Sequence, residues 1–308
     1  MKNANAAPSE TLAANITKAA SKQTYYTVRF LVDRDRVADA YRTYAYFRWV
    51  DDILDADTGS RSERSAFASR QKALLERCYQ GDPAGDVTPE EAMLVDLVRS
   101  DTEKDSGLQA YLRNMMAVMT FDADRRGRLI SQSELSAYTH WLAVAVTEAL
   151  HYFIGHNDYA PQGEIRYRAV TGAHITHMLR DALEDADTGY YNIPREIVLA
   201  HGIAPWEVRS KAYRNWVKES VKKARACFKV GRDYLAQVEN LRCRIAGYAY
   251  IRRFEIVLDC IEHEGCLLRA VYPERKACGR KISMLGWALW MALNHRQPDS
   301  SSPAITSR

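Results

Sequence analysis

The chain has 308 residues, of which 47% are hydrophobic and 27% charged, with a formal charge of +4. This is an ordinary globular composition, and the weak positive charge without any Lys/Arg block argues against nucleic acid as a partner, leaving room only for weak peripheral attraction to anionic membrane surfaces. No segment reaches the roughly 20 apolar residues that cross a bilayer, and the longest candidate, Ile282 to Leu293, falls short.

From the N-terminus, Met1 to Lys22 is Ala- and Asn-rich with no continuous apolar stretch, so residues 1–20 read as a flexible lead without signal or anchor character. From Arg34 to His295 helix formers dominate and period-two alternation is almost absent. The pattern predicts helices over 34–57, 61–80, 88–103, 106–121, 132–154, 162–187, 205–236, 238–264 and 281–294. Asp82-Pro83 and Thr88-Pro89 break the chain, Pro161 starts the next long helix, and Gly189, Pro194, Gly202 and Pro205 mark the turns after it. With no repeat or linker in view, residues 21–295 read as one all-α domain. The Ser- and Pro-rich stretch Arg296 to Arg308 reads as a disordered tail. Six scattered cysteines without a Cys-x-x-Cys pair predict reduced thiols in a cytoplasmic protein.

Two acidic clusters stand out. The first is Arg48-Trp49-Val50-Asp51-Asp52-Ile53-Leu54-Asp55, in which Asp51 and Asp55 share a helix face with Arg48. Like charges stacked four apart destabilise an isolated helix, so a cation belongs between them. A solvated, salt-bridged surface would show the same charges, but Phe47, Trp49, Val50, Ile53 and Leu54 make this helix apolar almost all round and predict burial. Buried carboxylates need a partner or a metal. The second cluster is His174-Ile175-Thr176-His177-Met178-Leu179-Arg180-Asp181-Ala182-Leu183-Glu184-Asp185. His174, His177, Asp181 and Asp185 lie on one stripe, a spacing that suits a transition metal as well as two structural histidines. Two acidic faces opposed to each other would form an all-oxygen cage for Mg2+ and a diphosphate.

Arg48-x-x-Asp51-Asp52-x-x-Asp55, with Leu179-Arg180-Asp181-x-x-Glu184-Asp185-x-x-x-Gly189 and Ile193-Pro194, resembles the squalene/phytoene synthase family. Ser21-Lys22-Gln23-Thr24-Tyr25-Tyr26 is similar to the family's opening element, and Glu134-Leu135-x-x-Tyr138 to the start of its cavity helix. The resemblance implies a helical bundle around a central cavity that joins two prenyl diphosphates head to head. It implies Mg2+ on Asp51, Asp52, Asp55, Asp181 and Asp185, and phosphate contacts from Arg48, Arg180 and Thr24. It also implies aromatic walls from Tyr25, Phe47, Tyr138 and Trp141. NADPH use is left open, because the family's reducing members carry no Gly-rich dinucleotide turn, and monomer and homodimer are equally compatible.

The chain departs from that pattern at several places. His174 and His177 stand where the family has Gln and an Asn that helps bind magnesium, which makes His177 a candidate ligand and both histidines substrate contacts. Leu142-Ala143-Val144-Ala145-Val146-Thr147 replaces Val-Ala-Gly-x-Val-Gly, so Val144 and Thr147 fill the two glycine positions, with Glu148 and His151 just beyond. Phe254 and Tyr190 replace a frequent Tyr and a frequent Arg. These changes cluster on the expected site and keep three other readings alive: a class I terpene synthase that cyclises one prenyl diphosphate, a non-catalytic relative, and a transition-metal site built from Glu148, His151, His174, His177 and Asp181.

Overall fold

The structure is a computed structural model that describes residues 6–56, 59–82, 85–272 and 288–293. The helices are α1 (Ala6–Ala20), α2 (Lys22–Leu31), α3 (Val37–Asp55), α4 (Arg61–Tyr79), α5 (Pro89–Ser100), α6 (Gly107–Arg125), α7 (Gln132–Phe153), α8 (Arg168–Asp187), α9 (Arg195–His201), α10 (Lys211–Leu235) and α11 (Leu241–His263). The described residues contain no strand, and the fold is all-α, as the sequence predicts. Residues 288–293 are also helical, whereas the rest of the expected 281–294 helix and the Ser/Pro-rich tail lie outside the described residues.

Local chemistry sets the helix starts. Ser60, Thr88 and Ser131 each accept from the backbone N–H three residues on, and Glu63, Glu91 and Glu134 return the bond to complete capping boxes. Pro89 occupies the first turn of α5, where its missing N–H costs nothing. Gly189, at φ 88°, turns the chain after α8, and its carbonyl accepts from the Gly127 N–H at 2.8 Å. That bond ties the end of α8 to the end of α6.

The flexible lead is a correction. Residues 6–20 form a helix that packs on α3 through the fully buried Ala13 and Thr17. Alanine is the strongest helix former, and a small-residue face allows close approach to a neighbouring helix. Helix α2, capped by Ser21, was also not among the expected elements. The expected 205–236 helix starts later, at Lys211, because Ser210 caps it. Helix α6 runs on to Arg125, past its expected end at 121.

The core lies among α3, α6, α7, α8, α10 and α11, with Tyr46, Phe228, Tyr234 and Tyr248 almost wholly buried. Helices α8 and α10 approach closely, and a Cβ on Gly172 would meet Phe228 at 3.0 Å. Cys78, Cys227, Cys243 and Cys266 carry free thiols, and Cys278 lies outside the described residues. No described helix is long and apolar enough to cross a membrane.

Candidate active site

Three helices end at one place. The last turn of α3 carries Asp55, that of α6 ends at Arg125, and α8 ends at Asp187. Hydrogen bonds join these ends: Arg126 Nε donates to the Thr188 carbonyl at 3.0 Å, and the Tyr190 hydroxyl donates to Asp55 at 3.4 Å. Each helix presents its negative dipole end there, and neither α3 nor α8 has a basic residue in its last turn. Carboxylates at such ends are destabilised until a cation arrives.

Both acidic motifs line the resulting cleft of about 610 Å3, with Arg48, Asp51 and Asp55 on the α3 side and His174, His177, Arg180, Asp181, Glu184 and Asp185 on the α8 side. Burial, then repulsion from Asp55, raises the Asp51 pKa to about 6 against the pull of Arg48. Burial and the neighbouring Asp122 raise Asp55 as well. Burial also raises Asp185 to about 6, with the Asp181 charge adding to it and an Asn192 hydrogen bond opposing. Asp181 differs. Burial would raise its pKa, but Arg180 donates to both its oxygens at 2.6 Å and His177 Nε2 donates at 2.9 Å, so it sits far below its ordinary value.

Three residues that sequence reasoning did not place in the site, Asp122, Arg125 and Asn192, hold its floor together with Tyr138. Arg125 is buried, donating to Asp122 at 2.6 Å and to the Asn192 side-chain oxygen at 3.0 Å. Asn192 in turn donates to Asp185 at 2.6 Å, and the Tyr138 hydroxyl donates to Asp122 at 3.0 Å. The Arg125 guanidinium lies 4.9 Å from the ring centres of both Tyr138 and Tyr190. Asp122-x-x-Arg125 was readable as a same-face pair, had the helix been extended past 121.

Most of the other expected site residues fall outside the cleft, and His174, which lines it, is tied up by a neighbour. Asp52 faces solvent and binds Arg48. Thr24 donates to Ser21 Oγ at 2.9 Å and lines a separate apolar cavity of about 370 Å3. Thr147 lines that cavity too, whereas Val144 is half-buried and lines neither space. Tyr25 stacks on Tyr41 outside both, and Phe47 is buried edge-on against Tyr46 and Tyr111. Trp141 packs edge-on against Phe121. His174 is buried and hydrogen-bonded to Thr139 at 3.1 Å; burial, then the nearby His177, lowers its pKa to about 3, so it is neutral. The five-residue transition-metal site does not assemble. Glu148 pairs with Arg166, and His151 is bonded to the Tyr234 hydroxyl at 2.7 Å in the wall of the apolar cavity. Among the described residues no three His, Cys, Asp or Glu side chains already converge on a point fit for a metal ion.

Cleft and cavity share three helices. On α3 Tyr44 lines the cavity and Arg48, one turn on, the cleft; on α8 Val170 and His174 divide in the same way. On α7 Tyr138 lines the cleft and Thr147 the cavity, separated by roughly 13 Å of helix rise.

A squalene/phytoene synthase family model matches residues 17–277. The chain is 28% identical to a presqualene diphosphate synthase of Zymomonas mobilis over 195 residues, covering 62% of each chain, thus under two thirds of that relative's length. It is 22% identical to a phytoene synthase of Thermus thermophilus over 275 residues, 87% of this chain and 86% of the relative. Among solved structures, a squalene synthase from Alicyclobacillus acidocaldarius superposes with a TM-score of 0.67 at 19% identity, covering 85% of this chain and 96% of the other. A ligand-bound dehydrosqualene synthase gives the same TM-score at 17% identity, covering 92% of this chain and 96% of the other. At such identities the structures speak for the fold, while the family model spans most of the sequence. The chain belongs to the squalene/phytoene synthase family.

Proposed function

We propose that the chain is a Mg2+-dependent transferase that joins two allylic prenyl diphosphates head to head and releases diphosphate. One observation carries this reading: an acidic cleft and an apolar cavity lie end to end along α3, α7 and α8. A diphosphate head suits the first and an isoprenoid tail the second.

The donor set fits magnesium. Asp51, Asp55, Asp181 and Asp185 offer oxygen only, and they stand on opposite walls, so the metal would need phosphate oxygens to complete its shell. Mg2+ commonly binds through a few carboxylates plus substrate phosphates. When bound, it supplies positive charge where negative charge builds on the departing diphosphate. Arg48 and Arg126, both lining the cleft, contribute fixed positive charge toward the same oxygens. The Tyr138 ring, held by Asp122 and Arg125, walls the cleft. The apolar cavity, walled largely by Val, Leu, Phe and Tyr side chains, keeps water from a carbocation.

His177 holds Asp181 from outside rather than standing free as a ligand. His177→Ala is therefore expected to weaken apparent Mg2+ affinity by no more than about tenfold, the low end for a lost outer partner, because Arg180 retains both Asp181 oxygens. A titration of activity against Mg2+ checks this; a loss beyond a hundredfold would make the imidazole a direct ligand.

A second reading, cyclisation of a single prenyl diphosphate, is favoured by the cavity's size. At about 370 Å3 it is near the small end of ligand cavities, and the Thr147 side chain takes part of that space. Thr147→Gly is expected to shift competition between farnesyl and geranylgeranyl diphosphate several-fold toward the longer chain, whereas Val144→Gly leaves it unchanged. The helix loses about 1 kcal/mol per glycine, which a buried element survives. Equal shifts from both variants would contradict the cavity assignment.

The reaction itself is tested by incubation with geranyl, farnesyl and geranylgeranyl diphosphates plus Mg2+ and mass spectrometry of the products. Products built from two substrates support head-to-head condensation, and cyclised single-substrate products support the second reading. No turnover with any of the three would sink both.

A further inference from the structure

One wall of the apolar cavity is polar in a way that the proposed reaction does not use. Thr147 is 3% exposed and its Oγ1 has no hydrogen-bond partner among the described residues. Threonines within helices ordinarily donate to the carbonyl four residues back. Thr139, Thr171 and Thr176 do so, at 2.8, 3.0 and 2.8 Å. Thr147 does not, and the space it lines is the cavity. Arg166, 6% exposed, lines the same cavity, and its Nε is buried without a partner.

The surrounding groups are already matched. His151, one turn after Thr147 on the same face of α7, bonds the Tyr234 hydroxyl at 2.7 Å and lies 3.7 Å from Cys243 Sγ. Arg166 donates to Gln162 and pairs with Glu148 at 3.4 Å, and Glu148 accepts from the Tyr167 hydroxyl at 2.8 Å. Burial, with the Arg166 charge adding to it, lowers the His151 pKa to about 4, so the imidazole is neutral. The guanidinium charge is balanced by Glu148. The wall therefore carries no surplus positive charge to hold a phosphate, while two buried polar groups remain open. An open buried donor costs free energy unless a ligand or water completes it.

We propose that this wall is a subsite for one uncharged hydroxyl oxygen, carried on an isoprenoid chain or lodged beside it as a single water. Thr147 Oγ1 and Arg166 Nε are the groups that receive it. The inference rests on the reading of the cavity as a chain-binding site.

The test uses the full chain and two C15 probes, farnesol and the hydrocarbon farnesene, with binding followed by tryptophan fluorescence. If the ligand supplies the oxygen, farnesol binds wild type at least fivefold more tightly than farnesene. Thr147→Val then removes the preference by weakening farnesol alone, and Thr147→Ser keeps it. If water supplies the oxygen, both probes bind wild type alike and Thr147→Val changes farnesene affinity at least threefold. In that case a crystal structure of the farnesene complex shows a water on Thr147 Oγ1. Thermal melting controls for folding, and Thr147→Val is expected to melt at or above wild type, since it removes an unpaired hydroxyl. Equal affinities that Thr147→Val leaves untouched overturn the subsite. Failure of both probes to bind overturns the chain-binding reading, and the subsite with it.

Discussion

Asp51→Asn and Asp181→Asn are each expected to lower turnover by about a thousandfold or more, while moving the stability of the metal-free protein in opposite directions. The activity loss follows from the opposed walls. Each carboxylate would hold Mg2+ against the same diphosphate from its own side, and the loss of one preorganised electrostatic partner typically costs two to three orders of magnitude. The stability signs follow from the two environments. The Asp51 pKa is about 6 in the fold against an ordinary 3.8. The folded state thus favours its protonated form, a contribution present below pH 3.8 and lost as the pH climbs through 6. At neutral pH Asp51 is ionised against Asp55 and Asp122, and asparagine relieves that repulsion. Because Asp51 is 41% exposed at its side chain, solvent screening holds the gain to about 1 kcal/mol. Asp181 has the reverse profile. Its depressed pKa contributes stability above about pH 4 that is lost on acidification, and asparagine leaves Arg180 and His177 without their carboxylate. Metal-free melts at pH 7.5 should therefore show Asp51→Asn above wild type and Asp181→Asn below it. If both variants melt on the same side of wild type, the two walls are not electrostatically distinct. If either retains near-normal turnover, the opposed-wall site is wrong.

The acidic motifs were legible because their chemistry is local. Carboxylates four apart on an apolar helix are an anomaly that one chain segment displays by itself. Capping and breaking residues likewise act within a few positions, which is why Thr88-Pro89 and the start of α7 at Ser131 could be read directly. What the sequence hid is tertiary. Asn192 reaches Asp185 only because Gly189 reverses the chain after α8, and Arg125 reaches Asn192 across 67 residues of sequence. Nothing in the pattern around either residue distinguishes a buried bridge from a solvated loop. Thr24 shows the converse. It lies in a stretch similar to a family element, yet α2 folds so that its hydroxyl meets Ser21 and its side chain lines the apolar cavity. Val144 and Thr147 are three residues apart on one helix, and that rotation is enough to put only Thr147 in the cavity wall.

Arg125→Met is expected to destabilise the fold by about 3–5 kcal/mol, the usual cost of stranding one partner of a buried ion pair. Methionine fills a similar length and removes the charge. Asp122 would then keep only the Tyr138 hydroxyl, and the Asn192 oxygen would lose its donor, with Asp185 no longer anchored to a fixed partner. Tyr138 and Tyr190, whose rings flank the guanidinium at 4.9 Å, would lose the contact that packs them across the cleft. For a chain of this size the melting temperature should fall by roughly 10 °C. Arg125→Lys tests the fork separately from the charge: the compact ammonium lacks the separate nitrogens with which the planar guanidinium reaches Asp122 and Asn192, so most of the loss should remain. The double change Arg125→Met with Asp122→Asn should recover at least half of it, because no unpaired carboxylate is left buried. Melting of all three variants against wild type decides the matter. Were Arg125→Met to melt within 2 °C of wild type, the floor of the cleft would be held by packing alone, and Arg125 would be a neutraliser rather than the strut joining α6 to the turn after α8.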